Sequence, residues 1–316
     1  MEALEPRRDT DGTAVEISLP AGASRRLPLR PLLRTLRPHQ WVKNVFVLAP
    51  LIFAKRLDEW VPLAVALAAF VVFCLLSGVV YLINDLVDVE ADRRHPHKRH
   101  RPIAAGALPQ DAARKAVAVI GVLAVGASFG LDWRFGLAAV GYLGLNLAYS
   151  LWAKQVAYLD VVCVATGFLL RVVAGALAIQ VPVSPWLVLC AFLLALFLAL
   201  GKRRQELRMS GGAGDTRAVL LRYTPATLDM AAYAVGFFTL IAYLIYTVSP
   251  RTREHFDTDL LPATTPFVAF GLWRFLSVVD NARIESPTEA ILRDPPFVVN
   301  IVLWVSFILM AIYVNP

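Results

Sequence analysis

Residues 84–106 read NDLVDVEADRRHPHKRHRPIAAG, three aspartates at helical spacing that run directly into a block of bases. Asp85 and Asp88 lie three apart, Asp88 and Asp92 four apart, and Asn84 four before Asp88, so a continuous helix presents all four on one face. Such a face repels itself unless cations fill it. Mg²⁺ suits it, because that hard ion takes oxygen ligands and is completed by substrate phosphates rather than by a protein cage. Asn84, Asp85, Asp88 and Asp92 are therefore the candidate metal ligands, and the three aspartates the candidate catalytic residues. The alternative is a helix end whose acids are solvated and loosely paired to Arg93 and Arg94. Against it stands the apolar run from Val61 to Ile83 just upstream, since ionisable groups at a membrane segment are functional by default.

Working outward, 58% of the 316 residues are hydrophobic and the mean hydropathy is +0.59, above the roughly 45–50% apolar share of soluble domains. A membrane-spanning helix needs about 20 mostly apolar residues, and about nine such segments can be placed. They run over 42–54, 61–83, 113–131, 134–152, 157–179, 184–200, 228–248, 262–280 and 296–314, the first of them short. The expectation is an all-α integral membrane protein whose domain covers 31–316, behind a polar tail at 1–30 that lacks the apolar core of a signal peptide. Cys74, Cys163 and Cys190 all fall in apolar segments without metal-ligand spacing and read as small buried hydrophobes.

The net charge is +7. Lys and Arg concentrate in the tail, in the 84–112 connection and in the 201–227 connection, whereas the opposite connections hold only Lys55, Arg56, Arg134, Arg251 and Arg253. By the positive-inside rule the amino terminus and the acidic motif face the cytoplasm, in a multi-pass protein of the plasma membrane. Loop bases in that pattern point to anionic headgroups or anionic substrates, and nothing resembles a nucleic-acid-binding module. Clustering at one edge also leaves no through-path for a transporter. Faces rich in Gly and Ala, such as GYLGLNLA and VVAGALA, pack helices closely and permit a homo-oligomer.

Two further clusters carry chemistry. GKRRQEL (201–207) ends an apolar run, with Lys202 and Glu206 four apart; a phosphate clamp of Lys202 and Arg203 with one supporting carboxylate explains Glu206 better than a flanking charge does. YSLWAKQVAYLD (149–160) brings Tyr149, Lys154 and Asp160 to a short turn, where Lys154 is a mobile point charge for phosphate. Arg171 lies well inside an apolar run and needs a partner; Asp160, 11 residues earlier, is on a similar face. Structural pairing and anion binding stay equally open for Arg171. Lys43 and Asn44 follow the interfacial stretch PLLRTLRPHQW (31–41).

These residues carry a resemblance. NDxxDxxxD before a basic loop resembles the UbiA superfamily of intramembrane prenyltransferases. RPHQWVKNVFVLAPL (37–51), the 84–106 stretch, LDVVCVATGFLLRVVAGA (159–176) and GKRRQEL together are similar to its decaprenyl-phosphate phosphoribosyltransferase branch. The resemblance implies helices around a central cavity open to the cytoplasm. It implies Mg²⁺-dependent transfer of 5-phosphoribose from phosphoribosyl pyrophosphate (PRPP) to decaprenyl or another polyprenyl phosphate, toward decaprenylphosphoryl arabinose and cell-wall arabinan. Lys43, Arg93, Lys98 and Arg101 then become candidates for the diphosphate, and Lys154, Lys202 and Arg203 for the other phosphates. The superfamily usually carries a second aspartate-rich motif where this sequence has GKRRQEL, and more fixed positive charge suits substrates bearing three phosphate groups. The alternative is a UbiA-type enzyme moving a prenyl group from its diphosphate to an aromatic or lipid acceptor.

Overall fold

The computed structural model describes residues 28–209, 222–281 and 287–314, and the expected tail up to residue 27 and residues 210–221 of the 201–227 connection lie outside them. Thirteen α-helices are present among the described residues, with no strand. Short α1 (Leu29–Leu36) leads into a 3₁₀ stretch, Pro38–Leu48, and α2 (Ala49–Phe53). The long helices are α3 (Trp60–Val87), α5 (Gln110–Leu131), α6 (Trp133–Leu151), α7 (Leu159–Ala178), α8 (Pro185–Met209) and α9 (Pro225–Val248). Shorter helices are α4 (Val89–Arg94), α10 (Pro250–Phe256), α11 (Thr265–Asn281), α12 (Pro287–Leu292) and α13 (Pro295–Leu309), the last running into a π turn at Met310–Val314.

Six helices among the described residues are long and apolar enough to cross a membrane: α3, α5, α7, α8, α9 and α13 with its π turn. Nine were expected. Helices α6 and α11 fall on two of the remaining segments but are shorter or more polar. The first segment is not one helix at all: Pro38 and Pro50 lack N–H donors and bracket the 3₁₀ run.

Local sequence sets the helix starts. Asp132 caps α6 by accepting from the N–H groups of Arg134 and Phe135, and Asp294 caps α13 through Phe297 N–H. Thr224 and Thr227 form a capping box around Pro225 at the start of α9.

Sequential helices pack side by side. One apolar core joins the 3₁₀ stretch, α3, α5, α6 and α7 through Val47, Phe73, Leu76, Phe135, Tyr142 and Ala174. A second joins α7, α8, α9 and α11 through Val161, Phe197, Leu228 and Phe275. The carboxyl-terminal helix closes on the first segment, where Tyr313 donates to the Ile52 carbonyl at 3.1 Å. Because neighbouring helices run antiparallel, the carboxyl ends of α3, α6 and α8 and the amino ends of α7 and α9 meet at one end of the ring.

Candidate active site

At that end the carboxylates and bases interlock. The motif helix does not run through unbroken: α3 stops at Val87, Asp88 sits at the junction with a non-helical ψ of 8°, and α4 begins at Val89. The break separates the three aspartates. Asp85 and Asp92 are buried, while the Asp88 side chain keeps 37% of its surface. Asp85 Oδ1 accepts from Arg37 Nη2 at 2.7 Å and Arg101 Nη1 at 3.2 Å, and the same Arg101 nitrogen donates to Asp92 Oδ2 at 2.7 Å. Asp88 turns to Lys154 Nζ, 3.2 Å away. Asn84 Oδ1 accepts from Ser150 Oγ of α6, which fixes its amide.

Among the described residues no three His, Cys, Asp or Glu side chains converge on one point. One guanidinium nitrogen nevertheless bridges Asp85 and Asp92, so these buried carboxylates already address a single positive charge. Their donor set, ionised oxygens with no N–H or sulfur, is the kind a hard divalent cation takes.

Opposite lies the GKRRQEL segment. Arg203, at 1% exposure, has its Nε 2.8 Å from Asp160 Oδ2, donates through Nη1 to Glu206, and reaches the Tyr149 hydroxyl at 3.4 Å. Glu206 also lies 3.9 Å from Lys202. Asp160 Oδ1 accepts from Tyr223 Oη at 2.6 Å, and that hydroxyl in turn accepts the Tyr158 N–H at 2.6 Å. Burial and the hydrogen bond to Asp160 push the Tyr223 phenol well above its ordinary range. Arg204, the next residue, points away from Arg203 and pairs with Asp229 and Asp280, tying α8 to α9 and α11.

A third group lies deeper. Arg171 is not paired to Asp160, which belongs to Arg203. Its Nε donates to Asn44 Oδ1, its Nη1 to the Gly167 carbonyl and its Nη2 to the Tyr142 hydroxyl, each at 2.8 Å. Asn44, fully buried, donates to Ser77 Oγ at 3.1 Å and lies 3.4 Å from Cys74 Sγ. This reach depends on Gly175: a Cβ there would drive into the Val47 carbonyl, so only glycine lets the 3₁₀ stretch rest backbone against α7. Lys43, beside Asn44, is within electrostatic reach of Arg37, Arg171 and Lys202.

Thus Asn84, Asp85, Asp88, Asp92, Arg101 and Lys154 meet in one group, Tyr149, Asp160, Lys202, Arg203 and Glu206 in another, and Lys43, Asn44 and Arg171 in a third. Two expected residues stand apart. Arg93 is held by Glu90 at 2.7 Å and by the Ala104 carbonyl, which turns it along α4. Lys98 has no side-chain hydrogen bond or ion pair among the described residues; its backbone N–H donates to His95 Nδ1 and its carbonyl accepts from Arg101 N–H. Sequence reasoning passed over Arg37, counted as a flanking charge, and Tyr142, Ser150 and Tyr223. Arg37 had one visible signal, its place before Pro38. It adopts a left-handed φ of 51°, held there by Asp85 and by stacking 4.7 Å over the Tyr81 ring. Tyr158, at φ 65°, is strained likewise and held by Tyr223.

Comparison with known proteins places this geometry. The model of the UbiA prenyltransferase family matches residues 45–314. The chain is 36% identical to a decaprenyl-phosphate phosphoribosyltransferase of Corynebacterium glutamicum, covering 90% of this chain and 87% of that one. It is 34% identical to the protein so named in Mycolicibacterium smegmatis, covering 89% and 92%, and 32% identical to that of Mycobacterium tuberculosis, covering 89% and 94%. Among solved structures, a UbiA homolog from Archaeoglobus fulgidus bound to DMAPP and Mg²⁺ superposes with a TM-score of 0.67 at 19% identity, over 90% of this chain and 99% of that one. A structure concerned with digeranylgeranylglyceryl phosphate synthase gives 0.63 at 16% identity, over 90% and 99%. The fold is shared with both. The chain belongs to the UbiA prenyltransferase family.

Proposed function

We propose that this membrane enzyme transfers 5-phosphoribose from PRPP to a polyprenyl phosphate such as decaprenyl phosphate, releasing diphosphate. The observation that carries the reading is the nearly full-length likeness to three decaprenyl-phosphate phosphoribosyltransferases. The geometry supports it: a carboxylate end whose donor set suits a metal-bound diphosphate stands beside the partly exposed bases Arg37, Arg101 and Lys154. In the reaction the C1–O bond to diphosphate breaks, ribose C1 gains oxocarbenium character, and an anionic oxygen of the lipid phosphate attacks it. No strong general base is required, so the chain acts by positioning and electrostatics.

Asp85, Asp88 and Asp92, with Asn84, would hold Mg²⁺. Bound there, the ion offsets charge on the departing diphosphate. Arg37, Arg101 and Lys154, each partly exposed, grip donor oxygens beside those carboxylates. Arg203 is fixed by Asp160 and Glu206, and with Tyr149 and Lys202 it fixes the wall that the ribose end faces. In this reading residues 31–316 form one catalytic domain of nine membrane segments around a cavity on the cytoplasmic side, behind the 1–30 tail. Product would then feed arabinan assembly of the cell wall. The Pro38–Phe53 segment is long enough for a ninth crossing, since 3₁₀ turns rise about 2.0 Å per residue.

Purified chain given decaprenyl phosphate and ribose-labelled PRPP with Mg²⁺ should yield a labelled lipid on thin-layer chromatography. Label incorporated only from a prenyl diphosphate would overturn the assignment in favour of prenyl transfer.

A further inference from the structure

We propose that Arg101 is a built-in counter-cation of the aspartate motif, which leaves its place between the acids when a divalent metal ion is taken up. This rests on the reading that Asp85, Asp88 and Asp92 hold Mg²⁺, and it adds how that site fills. A single nitrogen of Arg101, Nη1, lies 3.2 Å from Asp85 Oδ1 and 2.7 Å from Asp92 Oδ2. It is thus the positive charge that joins the two buried acids. The other bases stand to the side. Arg37 meets Asp85 alone and is stacked over the Tyr81 ring, and Lys154 meets Asp88. Among the described residues the Arg101 guanidinium has no further hydrogen bond and no ring beneath it, so those two acids alone hold it.

Charge makes the exchange necessary. The three carboxylates Asp85, Asp88 and Asp92 face the three bases Arg37, Arg101 and Lys154, so the group is already balanced. A divalent ion added beside all three bases would leave two uncompensated positive charges against buried acids, a costly arrangement out of water. Arg101 can yield. Its side chain keeps 28% of its surface, so the guanidinium is solvated once it swings away. Its backbone need not follow: Ile103 and Leu108 are buried against Leu32, Leu36, Leu82 and Val89, and the Arg101 carbonyl accepts the Ala105 N–H at 2.8 Å. The movement is a change of side-chain rotamer over an anchored loop. Arg101 therefore keeps Asp85 and Asp92 from repelling each other until a metal ion does so. It is free to meet a donor only after the carboxylates are filled.

Mn²⁺, which shares the carboxylate preference of Mg²⁺, is titrated calorimetrically without substrate into the detergent-purified full chain as wild type, R101Q, R93Q and D85N. R101Q should bind Mn²⁺ at least about tenfold more tightly than wild type, the worth of one charge-assisted contact that no longer competes. Arg93 is held by Glu90, so R93Q removes the same charge from the same segment without freeing a motif aspartate, and its affinity should stay within about twofold of wild type. Equal or weaker binding by R101Q, no binding by R101Q, or equal tightening in R93Q overturns the exchange. Binding that D85N leaves unchanged defeats the metal site itself, a failure distinct from binding that needs Asp85 yet ignores Arg101. A second measurement needs no variant: saturating Mn²⁺ should speed phenylglyoxal modification of Arg101 relative to Arg93 in wild type, read by peptide mass spectrometry. Protection of Arg101, or no change, overturns the proposal, and this decides the matter if R101Q does not fold. Neither measurement depends on turnover, so failure of PRPP transfer would defeat the proposed reaction and leave this result to be judged separately.

Discussion

The two charged groups at the polar end are built in opposite ways. In the acidic-motif half Asp85 and Asp92 keep 2% and 4% of their side-chain surface and Asp88 keeps 37%, while the bases Arg37, Arg101 and Lys154 are all partly exposed at 24%, 28% and 27%. In the GKRRQEL half the base is buried at 2% and is clamped from two sides by Asp160 and Glu206. A partly exposed base can leave its acid for a ligand and be solvated on the way. A buried base between two acids cannot, since breaking one contact strands a charge out of water. The first half is therefore the exchangeable one, where ligand chemistry happens, and the second is a fixed wall.

The comparison can be broken by variants, beginning with the largest effect. Asp85→Asn should lower kcat/KM for transfer from PRPP on the order of 10³-fold, while gel filtration and thermal unfolding in detergent stay near wild type, because Arg37 and Arg101 can turn to water. Arg203→Gln should instead destabilise the fold by about 3–5 kcal/mol, seen as a lower unfolding temperature; adding Asp160→Asn, which removes the stranded charge, should recover part of it. If Asp85→Asn unfolds and Arg203→Gln loses only turnover, the assignment of exchangeable and fixed halves is reversed. Lys154→Gln should raise the donor KM about tenfold, the worth of one charge-assisted contact, with a smaller change in kcat. Tyr223→Phe is the mildest, about 1 kcal/mol. Since the folded state raises the Tyr223 phenol, its contribution is complete below the ordinary phenol value of about 10 and is lost as pH climbs past it. Alkaline denaturation should be shallower in Tyr223→Phe than in wild type.

Much of this was legible in the chain. Apolar runs located the long helices, and the NDxxDxxxD spacing located the carboxylates, because both are local patterns with a fixed helical period. What failed was contact across distance. Asp160 and Arg171 do share a face, but 11 residues of helix rise roughly 16 Å, beyond the reach of an arginine, so each found a nearer partner on another element. Arg37 and Asp85 lie 48 residues apart and Tyr223 and Asp160 lie 63 apart, separations at which no periodicity speaks. The even face expected of the acidic motif was also too simple: helix period fixes side-chain direction only while the helix lasts, and this one breaks at Asp88. The first apolar segment shows that hydropathy reports burial and not backbone type, which its two prolines decide.

The backbone contact between Val47 and Gly175 makes the Pro38–Leu48 stretch a ruler. With three residues to the turn, removing or adding one residue between Asn44 and Val47 would swing Asn44 about 120° around its axis, off Arg171. Side chains facing outward there, such as Val42 and Val45, can vary in size at little consequence. In this segment spacing is the informative quantity, and a single-residue slip would do more harm than several substitutions.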